Sequence, residues 1–381
     1  MRIGIEAQRL FRIKKHGMDV VVLELIRNLQ ELDHQNEYVI FVKPDQDSAV
    51  IKESRNFRIV EVQGGIYPQW EQIALPKAAR RQGCDILHCT SNTAPVSLNI
   101  PLVITLHDII YMEGPMHKLL TGGGTAYQRF GNLYRRWNVP RVLRKASRII
   151  TVSNFEKERI GDFFRISGEK LRAVHNGVSS HFQPVSDPIE IARIKNKYAL
   201  PDRYFFFLGN TVEKKNTPGT LKAFAMFRKE TGLDIPLVML DFDMGDLTRI
   251  LEDIREPDLL RHIVLTGYVV NTDLPVIYAL ADLFLYTSYR ESFGIPILEA
   301  QQSGTAVITS QTSSMPEVAG EGALLVDPYR PEEICQAMVS ITGDPDLRSD
   351  LVRRGTVNAA KFSWRNMATD VLNIYRELGA Q

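Results

Sequence analysis

The stretch Glu291-Ser-Phe-Gly-Ile-Pro-Ile-Leu-Glu299 places two carboxylates around a glycine and a proline. Gly294 lets the backbone approach a ligand closely. Pro296 suits the first turn of a helix, because the N–H that proline lacks would be unpaired there. The stretch therefore predicts a helix from near Ile295 to near Gly304, with its positive N-terminal end turned toward a phosphate.

The two carboxylates of this stretch have different predicted positions. Glu291 precedes the helix, whereas Glu299 lies one turn inside it and can accept hydrogen bonds from hydroxyl groups. A phosphate flanked by side chains that bind hydroxyls fits a nucleotide-sugar, in which a diphosphate joins two polyols. The pattern therefore predicts a nucleotide-sugar site.

The same stretch resembles the E-x7-E motif of retaining glycosyltransferases of the GT-B fold, in the large family 4 class. The resemblance covers nearly the whole chain, because further motifs follow in the family's order. It implies transfer of a sugar from GDP-mannose or a UDP-sugar to a saccharide or lipid-linked saccharide, with retention at the anomeric carbon. No cofactor, catalytic metal or nucleic-acid partner is expected.

The resemblance also assigns roles within the opening stretch. It implies that Glu291 contacts the hydroxyls of the donor sugar and that Glu299 binds the ribose. Phe293, Gly294 and Ile295 are expected to line the donor site, with the Gly294 amide near the diphosphate.

Length and composition indicate a cytoplasmic protein of two domains. The 381 residues exceed the usual size of one domain, and a hydrophobic content of 44% is ordinary for a globular chain. No apolar run is long enough to cross a bilayer, and the N-terminus lacks the profile of a signal peptide. Three cysteines do not indicate a disulfide framework. Cys84 and Cys89, which flank His88, are interpreted as core residues of an apolar strand.

Apolar runs of strand length alternate with helical patterns, which predicts an α/β protein with parallel sheets. With the resemblance, this gives two doubly wound Rossmann-like domains facing across a cleft, where ligands bind at the carboxyl ends of the strands. The predicted strands are Arg2–Ala7, Tyr38–Val42, Arg58–Val62, Ile86–Cys89, Leu102–Leu106, Arg148–Val152, Leu171–Val174, Tyr204–Leu208, Leu237–Leu240, His262–Leu265, Leu283–Tyr286, Ala306–Thr309 and Ala323–Val326.

The predicted domains follow from a polar, proline-containing segment in the middle of the chain. Residues 1–182 form the predicted acceptor-binding domain and residues 183–200 the linker. Residues 201–362 form the predicted donor-binding domain. The resemblance implies that a last helix, within 363–381, packs back on the first domain.

A second motif is Gly209-Asn-Thr-Val-Glu-Lys-Lys-Asn216, which lies between a predicted strand and a predicted helix. A glycine turn with lysines at a helix start is typical of phosphate binding, and the motif resembles the family's G-x4-R-K-N element. Lys215 matches the family's lysine, Lys214 stands where arginine is usual, and Asn210 stands where some members have a second arginine. Lysine supplies a point charge instead of a bidentate fork.

Further motifs give the remaining site residues. His107 and Asp108 end a predicted strand, and the resemblance places His107 beside the donor sugar; Asp108 is alternatively a helix cap. Tyr268 and Val269 resemble the turn that holds the nucleotide base. The Ser313-Ser-Met-Pro-Glu317-Val segment resembles the family's S-S-x-P-E-V and is predicted to line the same site.

Two segments depart from a simple assignment. The loop after the first strand contains Gly17, which can still serve a close approach to phosphate or acceptor, but Met18 and Asp19 replace the family's usual residues. Asp241-Phe-Asp243 imitates the metal-binding D-x-D motif of another glycosyltransferase fold, and we do not expect it to bind metal.

Charge is distributed unevenly along the chain. Residues 1–181 carry a net charge of +8 and the remainder −7, and no acidic residue occurs from 114 to 155. Tyr127, Phe130, Tyr134 and Trp137 recur at helical spacing among arginines. Two interpretations stay open for residues 127–148: peripheral contact with the inner face of the cytoplasmic membrane, or packing of the aromatic side chains on the first sheet.

Two rival functions remain. One is a different enzyme on the same fold, a nucleotide-sugar epimerase or a phosphorylase. The other is a catalytically inactive homologue that acts as a binding subunit, which the departures at Asn210 and Lys214 favour and the intact Glu291/Glu299 pair opposes.

Overall fold

The computed structural model describes residues 1–114 and 126–380, without the side chains of residues 126–128. The chain divides into two compact units. Unit 1 combines residues 1–176 with the C-terminal residues from Trp364, and unit 2 comprises Gly177–Ser363. Each unit is built on one parallel sheet with helices between successive strands.

The sheet of unit 1 has seven strands in the order β3-β2-β1-β4-β5-β6-β7. Its strands are β1 Arg2–Glu6, β2 Glu37–Val42, β3 Phe57–Glu61, β4 Ile86–Cys89, β5 Leu102–Leu106, β6 Arg148–Thr151 and β7 Leu171–Ala173. Its helices are α1 Gly17–Leu32, α2 Tyr67–Gln69, α3 Leu75–Arg81, α4 Ile110–Glu113, α5 Ala126–Lys145, α6 Asn154–Phe164 and, at the end of the chain, α15 Trp364–Gly379. A π-helical turn, Trp70–Ala74, joins α2 to α3.

The sheet of unit 2 has six strands in the order β10-β9-β8-β11-β12-β13. Its strands are β8 Phe205–Phe207, β9 Leu237–Met239, β10 Ile263–Leu265, β11 Leu283–Tyr286, β12 Val307–Ser310 and β13 Leu324–Val326. Its helices are α7 Pro188–Tyr198, α8 Thr217–Thr231, α9 Met244–Asp253, α10 Leu274–Leu280, α11 Ile295–Gln302, α12 Met315–Ala319, α13 Pro331–Gly343 and α14 Pro345–Ala359.

Every predicted strand is confirmed to within one residue at each end. Both faces of a parallel sheet are covered by helices, so its strands are continuous apolar runs that are easy to find in a sequence. Phe205, Phe206 and Phe207 of β8, for example, are all buried. The predicted helix after Gly294 is also confirmed as α11. Helix α1 begins at Gly17, three residues before the apolar pattern that predicted it.

The predicted linker, residues 183–200, is largely helical and belongs to unit 2. Asp187 caps α7 by accepting a hydrogen bond from the Ile189 amide at 2.9 Å. Helix α7 is anchored by Asp273, whose carboxylate accepts hydrogen bonds from Lys197 at 2.6 Å and from Tyr198 at 2.8 Å. Pro188 therefore opens a helix.

The last helix, α15, packs against α1 in unit 1. The hydroxyl of Tyr375 lies 2.6 Å from Nδ1 of His88 in β4, and the other ring nitrogen lies 2.8 Å from the Thr105 hydroxyl. Burial lowers the pKa of His88 to about 3. The buried Cys84 and Cys89 are core residues, as predicted.

Replacing Tyr375 with phenylalanine is expected to destabilise unit 1 by about 1–3 kcal/mol, because one nitrogen of the buried His88 loses its partner. The measurement is the urea midpoint of unfolding, with Tyr329→Phe as the control, since Tyr329 is 66% exposed. Equal midpoints for the two variants would contradict this role of the Tyr375 hydroxyl.

No helix in the described part of the chain is long and apolar enough to cross a membrane.

Candidate active site

The strand order of unit 2 reverses between β8 and β11, which are hydrogen-bonded neighbours. Because the connections on the two sides of such a point run in opposite directions, a crevice opens at the carboxyl ends of the strands. The turn Gly209–Asn216 follows β8, and the segment 287–294 follows β11. Both sequence motifs with candidate donor-binding residues therefore meet at one point of the sheet.

Asn216 joins these two segments. Its backbone is left-handed, with φ of +53°, and its buried side chain donates hydrogen bonds to the carbonyls of Thr287 at 3.0 Å and Pro328 at 2.7 Å. Sequence reasoning quoted Asn216 but assigned it no role. The available signal was its position as the last residue of a glycine turn, where asparagine tolerates left-handed backbone.

Glu291 lies between the two lysines of the turn. Its carboxylate oxygens are 2.7 Å from the Lys215 ammonium and 3.3 Å from the Lys214 ammonium. Burial opposes ionisation of Glu291, yet the two ammonium groups outweigh it and hold the pKa of the carboxyl below its ordinary value. The site thus combines one buried carboxylate with two cations and carries a net positive charge.

Tyr286, at the end of β11, is a site residue that sequence reasoning missed. The Lys215 ammonium donates to its hydroxyl at 3.1 Å and lies 4.7 Å from the centre of its ring. A cation over an aromatic face is attracted to it. Tyr286 therefore helps to fix the ammonium group of Lys215 beside Glu291.

Helix α11 begins directly after Gly294, whose φ of +116° favours glycine. The Ser314 hydroxyl donates to the carbonyls of Glu291 at 3.0 Å and Phe293 at 2.8 Å, which holds the segment before the helix. In an α-helix the first N–H groups have no intrahelical acceptor. The amides of Gly294 and Ile295 are therefore available to an anion near Lys215.

Two residues of this region have structural roles. The Phe293 side chain is 3% exposed and packs edge-on against Phe362, with ring centroids 6.0 Å apart. This packing supports the segment before α11, and the Phe293 carbonyl accepts a hydrogen bond from the Ser314 hydroxyl. Glu317 lies in the first turn of α12, where a carboxylate favours the start of a helix.

Glu299 lies inside α11 and is half-buried. The Tyr278 hydroxyl donates a hydrogen bond to its carboxylate at 2.9 Å. Burial raises the pKa of Glu299 to about 7, and the Tyr278 hydrogen bond opposes this only in part. A carboxylate with spare acceptor positions in a weakly solvated place is suited to bind hydroxyl donors.

The other predicted donor residues line neighbouring turns. Asn210 is exposed and accepts a hydrogen bond from the Val212 amide at 2.9 Å, so it shapes the turn. Tyr268 is 63% exposed and Val269 is 8% exposed, in the segment between β10 and α10. This segment is tied to the end of β9 by a hydrogen bond from the Asp241 amide to the Gly267 carbonyl, 2.9 Å long.

In unit 1, His107 follows β5 and is 5% exposed. Its Nε2 lies 3.0 Å from the carbonyl of Thr90, and its amide donates to Asn92 at 2.6 Å. Burial lowers the pKa of His107, so the ring is neutral near pH 7. Asp108 accepts a hydrogen bond from the Ile110 amide at 3.1 Å, so it supports the start of α4.

Buried polar residues that the sequence motifs did not include surround the end of β1. Glu6 is 2% exposed and accepts a hydrogen bond from the Gln8 amide at 2.9 Å, and burial raises the pKa of its carboxyl. Arg9 forms an ion pair with Asp19 at 3.2 Å. Gly17 is the first residue of α1, and nothing lies within 4 Å of the position a Cβ would take, so no protein group requires glycine there.

The described residues contain no group of three or more histidine, cysteine, aspartate or glutamate side chains that could hold a metal ion. Asp243, in the segment that imitates a metal motif, caps α9 by accepting from the Asp246 amide at 2.9 Å.

Two family models match the chain. The model described as Glycosyl transferases group 1 matches residues 189–357, and the model described as Glycosyltransferase Family 4 matches residues 16–182.

Among curated proteins, the chain is 31% identical over 249 residues to the O-antigen chain mannosyltransferase B of Escherichia coli, covering 64% of each chain. It is 28% identical over 227 residues to the serotype-specific mannosyltransferase WbdA of the same organism, covering 59% of this chain and 28% of the relative. The match thus spans less than two thirds of either relative's length.

Solved structures share the fold. The glycosyltransferase of Rickettsia africae matches with a TM-score of 0.75 at 18% identity, over 99% of this chain and 98% of that chain. The HepE protein of Anabaena, crystallised with UDP and glucose, matches with a TM-score of 0.73 at 16% identity, over 99% of both chains. These likenesses confirm the prediction of a GT-B fold with two Rossmann-like domains.

Proposed function

We propose that the chain is a retaining glycosyltransferase that uses a nucleoside-diphosphate-sugar, a proposal supported by the two glycosyltransferase models that match residues 189–357 and 16–182. The observation that carries this proposal is the cluster of Lys214, Lys215 and Glu291 at the start of α11, with Glu299 further along the same helix. Two cations and free helix amides suit a diphosphate. The two carboxylates suit the hydroxyls of the sugar and of the ribose.

The proposed reaction breaks the bond between the anomeric carbon and the diphosphate oxygen. The acceptor hydroxyl forms its bond to the anomeric carbon on the same face, and its proton passes to the departing diphosphate. Negative charge then accumulates on the leaving group, beside Lys215 and the amides that begin α11. The protein contributes positioning and charge stabilisation, which are large terms in enzymatic rate enhancement.

Mannose is the favoured sugar, and GDP-mannose the favoured donor. Both curated relatives compared above are named mannosyltransferases. A UDP-sugar is the alternative, since HepE was crystallised with UDP and glucose. The O-antigen relative favours a saccharide or lipid-linked saccharide acceptor in polysaccharide synthesis. Three expectations stay predictions. They are the contact of His107 with the donor sugar, the contact of the nucleotide base with the turn at Tyr268 and Val269, and the lack of a metal requirement.

A thermal-shift panel of UDP, GDP, ADP and their sugar conjugates tests the proposed donor site. A ligand at 100 times its Kd should stabilise the chain by about 2.7 kcal/mol. A shift with one nucleotide in the wild type, lost in Glu299→Ala, supports the site and identifies the base. No shift with any nucleotide would favour a phosphorylase or an inactive homologue, and conversion of donor without acceptor would favour an epimerase.

Nucleotide-sugar affinity is expected to rise with pH through about 7, because Glu299 must be ionised to accept two ribose hydroxyl protons and burial raises its pKa to about 7. Between about one unit below and one unit above this pKa, the ionised fraction and the affinity should rise up to about tenfold. Titration calorimetry with a nucleotide-sugar, whose diphosphate does not titrate in this window, measures the effect.

Glu299→Gln is the control for this dependence, since it keeps the shape of the side chain and cannot ionise. It should bind more weakly above the pKa and show a flat profile. In the wild type, ionisation of Glu299 also lowers the free energy of unfolding of the unliganded chain as pH rises through about 7. The reason is that the pKa of Glu299 in the folded state lies above the ordinary 4.5. A pH profile unchanged in Glu299→Gln would contradict the ribose role.

A further inference from the structure

Helix α5 carries apolar side chains on two faces. Its inner face, with Val139, Val142 and Leu143, is buried in the core of unit 1. Phe130, Leu133 and Trp137 are 50%, 39% and 45% exposed. These three lie three and four residues apart, so they form one stripe along the helix, here called the outer stripe.

The orientation of the helix is fixed by buried hydrogen bonds on its inner face. The Tyr134 hydroxyl bonds to Glu71 and accepts from Gln72 at 2.7 Å. Asn138, which is fully buried, donates to the Ala94 carbonyl at 2.8 Å. Turning the outer stripe inward would break these bonds and leave the fully buried amide of Asn138 without its partner. The described residues of unit 1 therefore leave the stripe exposed.

The two interpretations of the aromatic segment thus apply to different residues. Tyr134 packs inward, as one interpretation predicts, whereas Phe130 and Trp137 face outward. The side chain of Tyr127 lies outside the described residues.

Basic side chains flank the outer stripe. The Arg141 guanidinium lies 5.0 Å from the centre of the Trp137 ring, and Arg144 and Lys145 are exposed one turn further along. No acidic residue occurs in the sequence between Glu113 and Glu156. A protein surface normally interleaves both signs of charge and does not leave a tryptophan so exposed. Exposed apolar groups within a purely basic segment complement a surface that is apolar inside and anionic outside.

We propose that the outer stripe and its basic flank bind the surface of an anionic phospholipid bilayer. Phe130, Leu133 and Trp137 would enter the boundary between headgroups and acyl chains, where tryptophan is favoured. Arg141, Arg144 and Lys145 would face the headgroup phosphates, and each such charge adds to binding. This surface lies in unit 1, and its binding to lipid does not depend on sugar transfer.

Co-sedimentation of the full chain with vesicles tests the proposal. Binding is expected to vesicles of phosphatidylcholine mixed with phosphatidylglycerol, to weaken with salt, and to be much lower with phosphatidylcholine alone. Trp70 and Trp364 are buried, so Trp137 is the exposed one of the three tryptophans in this chain. Vesicle binding should therefore shift tryptophan emission to shorter wavelength, and this shift should be absent in Trp137→Ser.

Two variants separate the apolar and the charged contributions. Trp137→Ser should reduce binding to both vesicle types, while Arg141→Gln with Arg144→Gln should reduce only the anionic component, by about fivefold for each charge removed. Matched controls are Ile189→Ser, at a site 79% exposed in unit 2, and Lys222→Gln on the exposed face of α8. Melting curves establish that all variants fold.

Three outcomes would overturn the proposal. One is a lack of vesicle binding with anionic lipid. Another is binding that the control changes reduce as much as the α5 changes do. The last is self-association of the chain that Trp137→Ser abolishes while lipid binding is unchanged, which would make the outer stripe an interface between copies.

Discussion

Glu291→Gln is expected to lower kcat about 100- to 1000-fold with a smaller change in donor KM, the loss typical of removing one charged group that acts on the transition state. The carboxylate of Glu291 lies 2.7 Å from Lys215 and 3.3 Å from Lys214. Glutamine preserves the shape but removes the charge that holds both ammonium groups in place. It also removes a charged acceptor for the hydroxyls of the donor sugar.

Steady-state kinetics with the donor identified by thermal shift gives this measurement, and Glu213→Gln is the matched control. Glu213 is exposed in the same turn as the two lysines. The control should keep wild-type kcat. Comparably small effects from Glu291→Gln and Glu299→Ala on kcat and KM would contradict the assignment of distinct roles to the two carboxylates.

Lys215→Ala is expected to weaken binding of the nucleoside diphosphate by about 1.5–3 kcal/mol, or roughly 10- to 150-fold, the usual range for a hydrogen bond to a charged group. Lys215 has the shorter contact to Glu291, and its side chain is 17% exposed against 33% for Lys214. Lower exposure means less screening by water, so Lys214→Ala should have a smaller effect.

Titration calorimetry with the diphosphate measures both variants, and Lys222→Ala in α8 is the control for loss of a lysine. Removing Lys215 also removes the main counter-charge of Glu291, so the pKa of that carboxyl should rise toward its ordinary value. Titrations at a pH well above the ordinary pKa of a glutamate keep Glu291 ionised and avoid this complication. A Lys214→Ala effect equal to or larger than that of Lys215→Ala would show that the two lysines share the phosphate differently.

Lipid binding by the outer stripe and nucleotide binding by the donor site are expected to respond to different substitutions. Glu291→Gln and Lys215→Ala should bind vesicles like the wild type, whereas Trp137→Ser should bind the nucleoside diphosphate normally. The changed residues differ between the two tests, since α5 belongs to unit 1 and both donor segments belong to unit 2.

The amino-acid sequence by itself determined the strands, the helix after Gly294 and the two motifs of the donor site. These features depend on neighbours a few residues apart: apolar runs covered on both faces, a proline in a first turn, and a glycine before it. The resemblance to a known family added the expected ligands of these motifs, which are the sugar, the ribose and the diphosphate of the donor. The sequence did not reveal helix α7 within the predicted linker, because a polar, proline-containing segment and a capped helix start look alike when the buried partner, Asp273, is distant in sequence.

Only the tertiary structure decided which side chains meet. Lys215 and Glu291 are 76 positions apart, and they come together because β8 and β11 are adjacent in the sheet although two strands separate them along the chain. The same strand order brings Tyr286 under Lys215 and Asn216 against the end of β11. The outer stripe of α5 likewise depends on tertiary structure. Helical spacing groups Tyr134 with Trp137, and only the hydrogen bond to Glu71 shows that Tyr134 is the one turned inward. Local patterns report contacts within a turn or a strand, whereas the site and the surface depend on strand order and on which helix face the core covers.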